Sequence, residues 1–262
     1  MTVARRVVIT GGASGIGAAL ARRILAHGGS VGLIDLDRSR LDELVAQHGA
    51  RALAACCSAT DEVQLRAACE RFEGGLGGPV DGLVNAAGIP ERAAAIEDQD
   101  PQVWRAVLDS HLNGTYLSCK VFGSRMAAGG AGGSIVNVAS VVGLRPGPVL
   151  AYGAAKAAVL SLTQSLAVHW AGADVRVNAV APGWTDTPFM RRADRSQRDI
   201  QTIVDAVPQR RLIAPDEIAD VISFLLSRDS RCVTGTTITC DGGYLAGSGW
   251  APYGGFRMPD AH

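Results

Sequence analysis

Val7-Val8-Ile9-Thr10-Gly11-Gly12-Ala13-Ser14-Gly15-Ile16-Gly17 passes from a short apolar run through a glycine-rich turn, and Ala18 to Leu25 then reads as helix. Strand, glycine turn and helix in that order form the layout of a dinucleotide site, within an alternating α/β chain. Glycine lets the backbone approach a pyrophosphate, and the free N–H groups of a helix start favour its negative charge. Gly11, Ser14, Gly15, Ile16 and Gly17 are therefore expected at the cofactor.

Val31 to Ile34 reads as a second strand, and Asp35 follows its end, 18 residues after Gly17. A carboxylate there accepts hydrogen bonds from ribose hydroxyls and repels a 2′-phosphate, so the expected cofactor is NAD. Ser14 and Leu36, where a phosphate clamp would sit, are uncharged.

Strand and helix signals then alternate: strand at 52–55, helix at 61–72, loop at 74–79, strand at 82–85, a long helix at 101–126, strand at 134–138. Strand 175–180 closes on Ala181-Pro182-Gly183, and helix 215–226 and strand 236–239 complete the series. One domain over 1–262 is expected, with a lid near 184–208 and a tail at 244–262.

Tyr152 and Lys156 stand four residues apart in an Ala-rich helical segment, which places them on one face. A tyrosinate working near neutrality needs its pKa of ~10 brought down by roughly 4 kcal/mol. One cation about 4 Å away, at an effective dielectric of about 20, supplies roughly that. Lys120 and Lys156 are the only lysines, and every other basic residue is Arg. A compact ammonium with three donors suits such a role better than a planar fork.

The 262 residues are 47% apolar and 19% charged, with 25 acidic and 25 basic groups. That balance gives no electrostatic case for nucleic acid or an anionic membrane surface. No signal-peptide pattern or spanning apolar run is present, so a cytoplasmic location is expected. Six cysteines without CxxC spacing read as core thiols, with Cys56-Cys57 at a buried strand end, and five scattered histidines imply no metal site.

Thr10 to Gly17, Asn85-Ala86-Ala87-Gly88, Ser140, Tyr152-x-x-x-Lys156 and Pro182-Gly183 together resemble single-domain members of the short-chain dehydrogenase/reductase family, in order from about Val7 to Gly243. The resemblance implies a doubly wound Rossmann sheet of seven strands, a nicotinamide cofactor, and a homotetramer or homodimer built partly from the long helices. It gives Tyr152 the acid/base role, Ser140 the hydrogen bond to the substrate oxygen, and Lys156 both the lowering of the Tyr152 pKa and the nicotinamide ribose. Asn85, Ala86, Gly88, Pro182, Gly183, Thr185 and Thr187 are its further cofactor residues, and Tyr152 touches the cofactor as well. The chain departs from the family pattern at three places. His111 stands where the family has a catalytic Asn, and a pKa near neutrality would suit it to the proton relay. Ser58, beside Ala59, replaces an Asp at the adenine, and Ala86 replaces a second Asn.

The expected activity is hydride transfer between NAD(H) and a secondary alcohol or ketone, with Val142, Val149, Trp184 and Phe189 as substrate walls. The rivals are a reductase of acyl-thioester ketones and a non-catalytic NAD-binding sensor or assembly module. Arg191, Arg195 and Arg198 share a helical face that either attracts an acidic substrate group or pairs with Asp194 and Asp199 in solvent. Trp250, Tyr253 and Phe256 in the tail suit either a frayed end or docking on a neighbouring subunit.

Overall fold

The computed structural model describes residues 6–193, 200–247 and 249–250. Seven parallel strands form one sheet in the order β3-β2-β1-β4-β5-β6-β7. They are β1 (Arg6–Thr10), β2 (Ser30–Asp35), β3 (Ala52–Cys56), β4 (Gly82–Asn85), β5 (Gly133–Val138), β6 (Val175–Pro182) and β7 (Thr237–Cys240). A parallel sheet is covered on both faces, which is why β1 and β4 read as unbroken apolar runs. The strand order reverses between β1 and β4, in register from Val7↔Gly82 to Thr10↔Asn85. Ligands of open α/β sheets bind at the carboxyl ends of the strands on either side of such a reversal.

Helices Gly15–Ala26 and Pro215–Leu226 cover one face, burying Leu20, Ile24, Ile218, Ile222 and Leu225 against Val7, Ile9 and Val136. Helix Glu62–Gly75, the long helix at 101–129 and helix Leu150–Trp170 pack Phe72, Phe122, Met126 and Trp170 on the other. Each such large apolar side chain contributes roughly 1.5–3 kcal/mol by leaving water. Gly17 is required by contact: a Cβ there would collide with the Gly11 carbonyl, so the first helix could not seat against the glycine turn.

Behind the site, a buried polar ladder crosses this apolar packing. The Asn85 amide donates to Asn137 Oδ1 at 2.9 Å, and Asn137 Nδ2 donates to Thr163 Oγ1 at 2.9 Å. It ties β4 and β5 to helix Leu150–Trp170 two turns beyond Lys156. An unsatisfied buried amide costs about 1–3 kcal/mol, so the ladder fixes the helix against the sheet as well as occupying space.

Several elements differ from the sequence reading. Helix Arg38–His48 was not expected; Asp37 caps it by accepting from Arg40 N, and only Leu41 and Leu44 are buried, too few to mark a periodic stripe. Helix Glu62–Gly75 absorbs two glycines read as loop. The long helix runs to Gly129 and contains π turns at Asp109–Asn113 and Cys119–Gly123. The segment at 184–208 is more regular than expected, holding helices Pro188–Ala193 and Ile200–Ala206. Cys56 and Cys232 are exposed rather than core thiols, while Cys57, Cys69 and Cys119 are buried. Asp194, Arg195, Arg198, Asp199, Tyr253, Phe256 and the Arg192 side chain lie outside the described residues.

Candidate active site

A cavity of about 1190 Å³ lies across the strand reversal, with Asp35 and Ser58 at one end and Val149 and Phe189 at the other. Gly11, Ser14, Gly15, Ile16 and Gly17 line it, as do Ala59, Ala86, Gly88, Pro182, Gly183, Thr185 and Thr187. Asn85 does not: its side chain turns into the core, toward Asn137 and the Cys119 thiol.

The residues fit an extended dinucleotide. Ser14 precedes helix Gly15–Ala26 with an extended backbone and makes no side-chain cap, so its hydroxyl is left for a ligand, and no acid stands in that first turn. Asp35 is held by three backbone amides, Oδ2 accepting from Ala13 N at 3.0 Å and Oδ1 from Leu36 N at 2.8 Å and Asp37 N at 3.1 Å. The carboxylate is thereby fixed at the strand end, beside a Leu36 side chain that is 72% exposed and offers no charge. Ser58 and Thr60 share a hydroxyl hydrogen bond of 2.8 Å at the same end.

At the other end, the helix Leu150–Trp170 presents Tyr152 and Lys156 on one face, as the spacing predicts. Ser140 caps the one-turn helix Val141–Leu144 by accepting from Val142 N at 3.3 Å, and its hydroxyl acts on the Tyr152 phenol in the sense that lowers its pKa. Lys156 is 5% exposed; its ammonium donates to the Val138 carbonyl at 2.6 Å and stands 5.6 Å from the Tyr152 ring centroid. Burial pushes Lys156 down to about 7. Burial also pushes Tyr152 up to about 12, with the Ser140 hydroxyl pulling the other way. This corrects the expectation that Lys156 alone brings the phenol near neutrality: desolvation opposes charge on both groups, and the ammonium faces Val138.

His111 also differs from its expected role. It sits in the first π turn, where its Nε2–H donates to the Ile89 carbonyl at 2.8 Å and its ring meets Tyr152 edge-on at 4.9 Å. Burial, and the nearby Lys156 charge after it, push its pKa down to about 3, so the ring is neutral where the relay reading needed it to titrate. The unfolded chain takes up this proton near 6.5 and the native state only near 3, so folding loses stability as pH falls through that window. Melting curves should show the unsubstituted protein losing up to ~1.4 kcal/mol per pH unit below 6.5 relative to His111→Asn. Parallel curves for the two proteins would contradict the neutral, buried assignment.

Val142, Val149, Trp184 and Phe189 all line the cavity, together with Ile89, Glu91, Arg145 and Leu245, which the sequence reading missed. Arg191, read as a possible substrate-facing charge, is held at the surface by both oxygens of Asp186, at 2.8 and 3.1 Å. Arg145 is exposed at the cavity rim, and no acidic side chain among the described residues pairs with it. A glutamate or arginine in a loop carries no periodic signal, so nothing in the sequence marked these two.

This arrangement of strand reversal, glycine turn and Ser140, Tyr152 and Lys156 has close counterparts. A family model described as enoyl-(acyl carrier protein) reductase matches residues 11–245, and the chain belongs to the short-chain dehydrogenase/reductase family of oxidoreductases that use nicotinamide cofactors. It is 39% identical over 245 residues to a cis-4-hydroxycyclohexanecarboxylate dehydrogenase of Sinomonas cyclohexanicum, covering 92% of this chain and 97% of that one. It is 38% identical to a galactitol 2-dehydrogenase (L-tagatose-forming) of Cereibacter sphaeroides, over 90% of this chain and 93% of that one. A 3-ketoacyl-(acyl-carrier-protein) reductase from Brucella melitensis, solved with NADH, superposes with a TM-score of 0.85 at 31% identity, covering 92% and 98% of the two chains. Among the described residues, no helix is long and apolar enough to cross a membrane, and no group of three or more His, Cys, Asp or Glu could hold a metal ion.

Proposed function

We propose that the protein is an NAD-dependent dehydrogenase of cyclic secondary alcohols, in which Tyr152 exchanges the substrate's hydroxyl proton. The observation that carries this reading is one cavity bounded by Asp35 at one end and by Ser140, Tyr152 and Lys156 at the other. When bound, the nicotinamide ring accepts or supplies the hydride. Ser140 orients the reacting oxygen toward the phenol, and the buried Lys156 places a cation behind that phenol whenever it is protonated. Val142, Val149, Trp184 and Phe189 exclude water and fit an apolar ring. The amide-held Asp35 favours a free ribose 2′-hydroxyl, and the NADH in the Brucella melitensis relative agrees with that choice. The same reading includes a single domain with a lid at 184–208, a cytoplasmic location, and a homotetramer or homodimer that would cover the exposed Val103, Tyr116 and Val168.

Arg145 adds a preference for a substrate with an acidic group, which accords with the carboxylate in the name of the Sinomonas relative. Oxidation of 4-hydroxycyclohexanecarboxylate, cyclohexanol and galactitol with NAD or NADP tests both points. The acid should show kcat/KM roughly 10-fold above cyclohexanol, a difference worth about 1.4 kcal/mol and typical of a charge-assisted contact. Arg145→Gln should remove that gap and leave cyclohexanol turnover unchanged. NADH binding without turnover of any alcohol or ketone would replace this reading with the sensor, and a preference for galactitol would overturn the choice of a cyclic substrate.

A further inference from the structure

The helix that carries Tyr152 lacks a cap of its own. Val149, at the cap position of helix Leu150–Trp170, has no side chain able to accept, and the first turn contains no acid. The orphan amides are met from 60 residues away in the chain. Glu91 is 5% exposed, its Oε2 accepting from Tyr152 N at 2.6 Å and its Oε1 from Ala151 N at 3.2 Å and Gln99 Nε2 at 3.1 Å. A carboxylate at a helix start both satisfies donors and opposes the positive end of the helix dipole.

Glu91 is itself held in place. The loop that leads to it from β4 passes beneath His111, whose Nε2–H fixes the carbonyl of Ile89, two residues before Glu91. Gly88 lies so close to that ring that any Cβ there would overlap it. The His111 ring then meets the Tyr152 ring edge-on at 4.9 Å, and Phe189 approaches both. One short loop thus grips the acid/base residue from both ends, its backbone through Glu91 and its ring through the histidine that the same loop anchors.

We infer that Glu91 is a positioning residue for the hydride-transfer reaction: its carboxylate sets the first turn of the Leu150–Trp170 helix, and through it the place of the Tyr152 phenol relative to Ser140. Glu91 acts through the backbone amide of Tyr152 and takes no proton from substrate. The inference rests on the acid/base role of Tyr152 proposed above.

A mutant cycle on the full-length protein tests it, with kcat, KM for the alcohol, NADH binding by fluorescence and melting temperature as readouts. Glu91→Ala should lower kcat by about 10- to 100-fold, the cost of a small misplacement of a reacting group, with KM and NADH affinity within about threefold. Glu91→Gln, which keeps one acceptor oxygen on the loop, should recover most of the lost turnover and guards against a Glu91→Ala protein that does not fold. In the Tyr152→Phe background the Glu91 change should have little further effect on kcat, because the group it positions is gone. A raised KM at unchanged kcat would make Glu91 a substrate contact and overturn the proposal. Equal kcat losses in both backgrounds, or none in either, would also overturn it. Normal turnover by the single Tyr152→Phe protein would instead defeat the underlying assignment of Tyr152, so the two failures are distinguishable.

Discussion

Tyr152→Phe should lower turnover of a secondary alcohol by about 10³-fold, the scale of a lost general acid/base. Binding of NADH, followed by its fluorescence, should change by less than about threefold, since the substitution removes one oxygen and no cofactor-facing charge. The structure makes this substitution conservative in every respect but the proton. The ring keeps its edge-on contact with His111 at 4.9 Å and its tilted contact with Phe189 at 5.8 Å, and the amide of residue 152 still donates to Glu91. A neutral His111 beside the phenol cannot substitute as a base of matching strength, because its pKa is pushed to about 3. Lys156, with its pKa brought down to about 7, is the other titrating group in reach, but its ammonium is engaged by the Val138 carbonyl. Turnover near that of the unsubstituted protein would sink the mechanism.

The second large effect concerns cofactor choice. Asp35→Ala combined with Leu36→Arg should shift the ratio of kcat/KM for NAD over NADP by about 100-fold or more toward NADP. Removing a like charge from beside a 2′-phosphate recovers several kcal/mol, of which about 2.8 suffices for that factor. The position is favourable because Asp35 is fixed by the amides of Ala13, Leu36 and Asp37 and so cannot swing away from a phosphate. Leu36 is mostly in solvent, so an arginine there costs no packing. Steady-state kinetics with both cofactors decide the matter, and an unchanged ratio would remove Asp35 from the grounds of the NAD preference proposed above.

Much of this was legible in the sequence because local signals and the fold agree. The glycine turn, the acid after β2 and the Tyr-x-x-x-Lys spacing each depend on neighbours within a few residues; alternating strands and helices marked an α/β chain, and the doubly wound seven-stranded sheet came with the family resemblance. What stayed hidden depends on distant partners. Glu91 is defined by amides 60 residues on, and Arg145 by a cavity that no short window contains. His111 was placed at the site by its match to the family's catalytic Asn position, but its ionisation could not be read, because a histidine's pKa is set by how deeply it is buried. The helix Arg38–His48 escaped because two buried leucines make too short a stripe, and helices Pro188–Ala193 and Ile200–Ala206 because each is too brief to show a period.

The two π turns in the long helix have a consequence for how this chain can vary. Val107, His111, Thr115, Cys119 and Met126 are buried along the helix from 101 to 129. The first four recur every four residues, whereas an α-helix turns every 3.6, so a straight helix would wind them away from the sheet by about 40° at each step. Wider turns at Asp109–Asn113 and Cys119–Gly123 take up that drift and return the stripe, and His111 with it, to the inner face. The helix is therefore keyed by residue count. Substitutions on its outer side are cheap, and each wide turn holds one residue more than an α turn and so could give one up with little change of phase, whereas a single deletion in the α-helical stretches outside them would turn the inner side chains on one side of it by about 100° relative to the other.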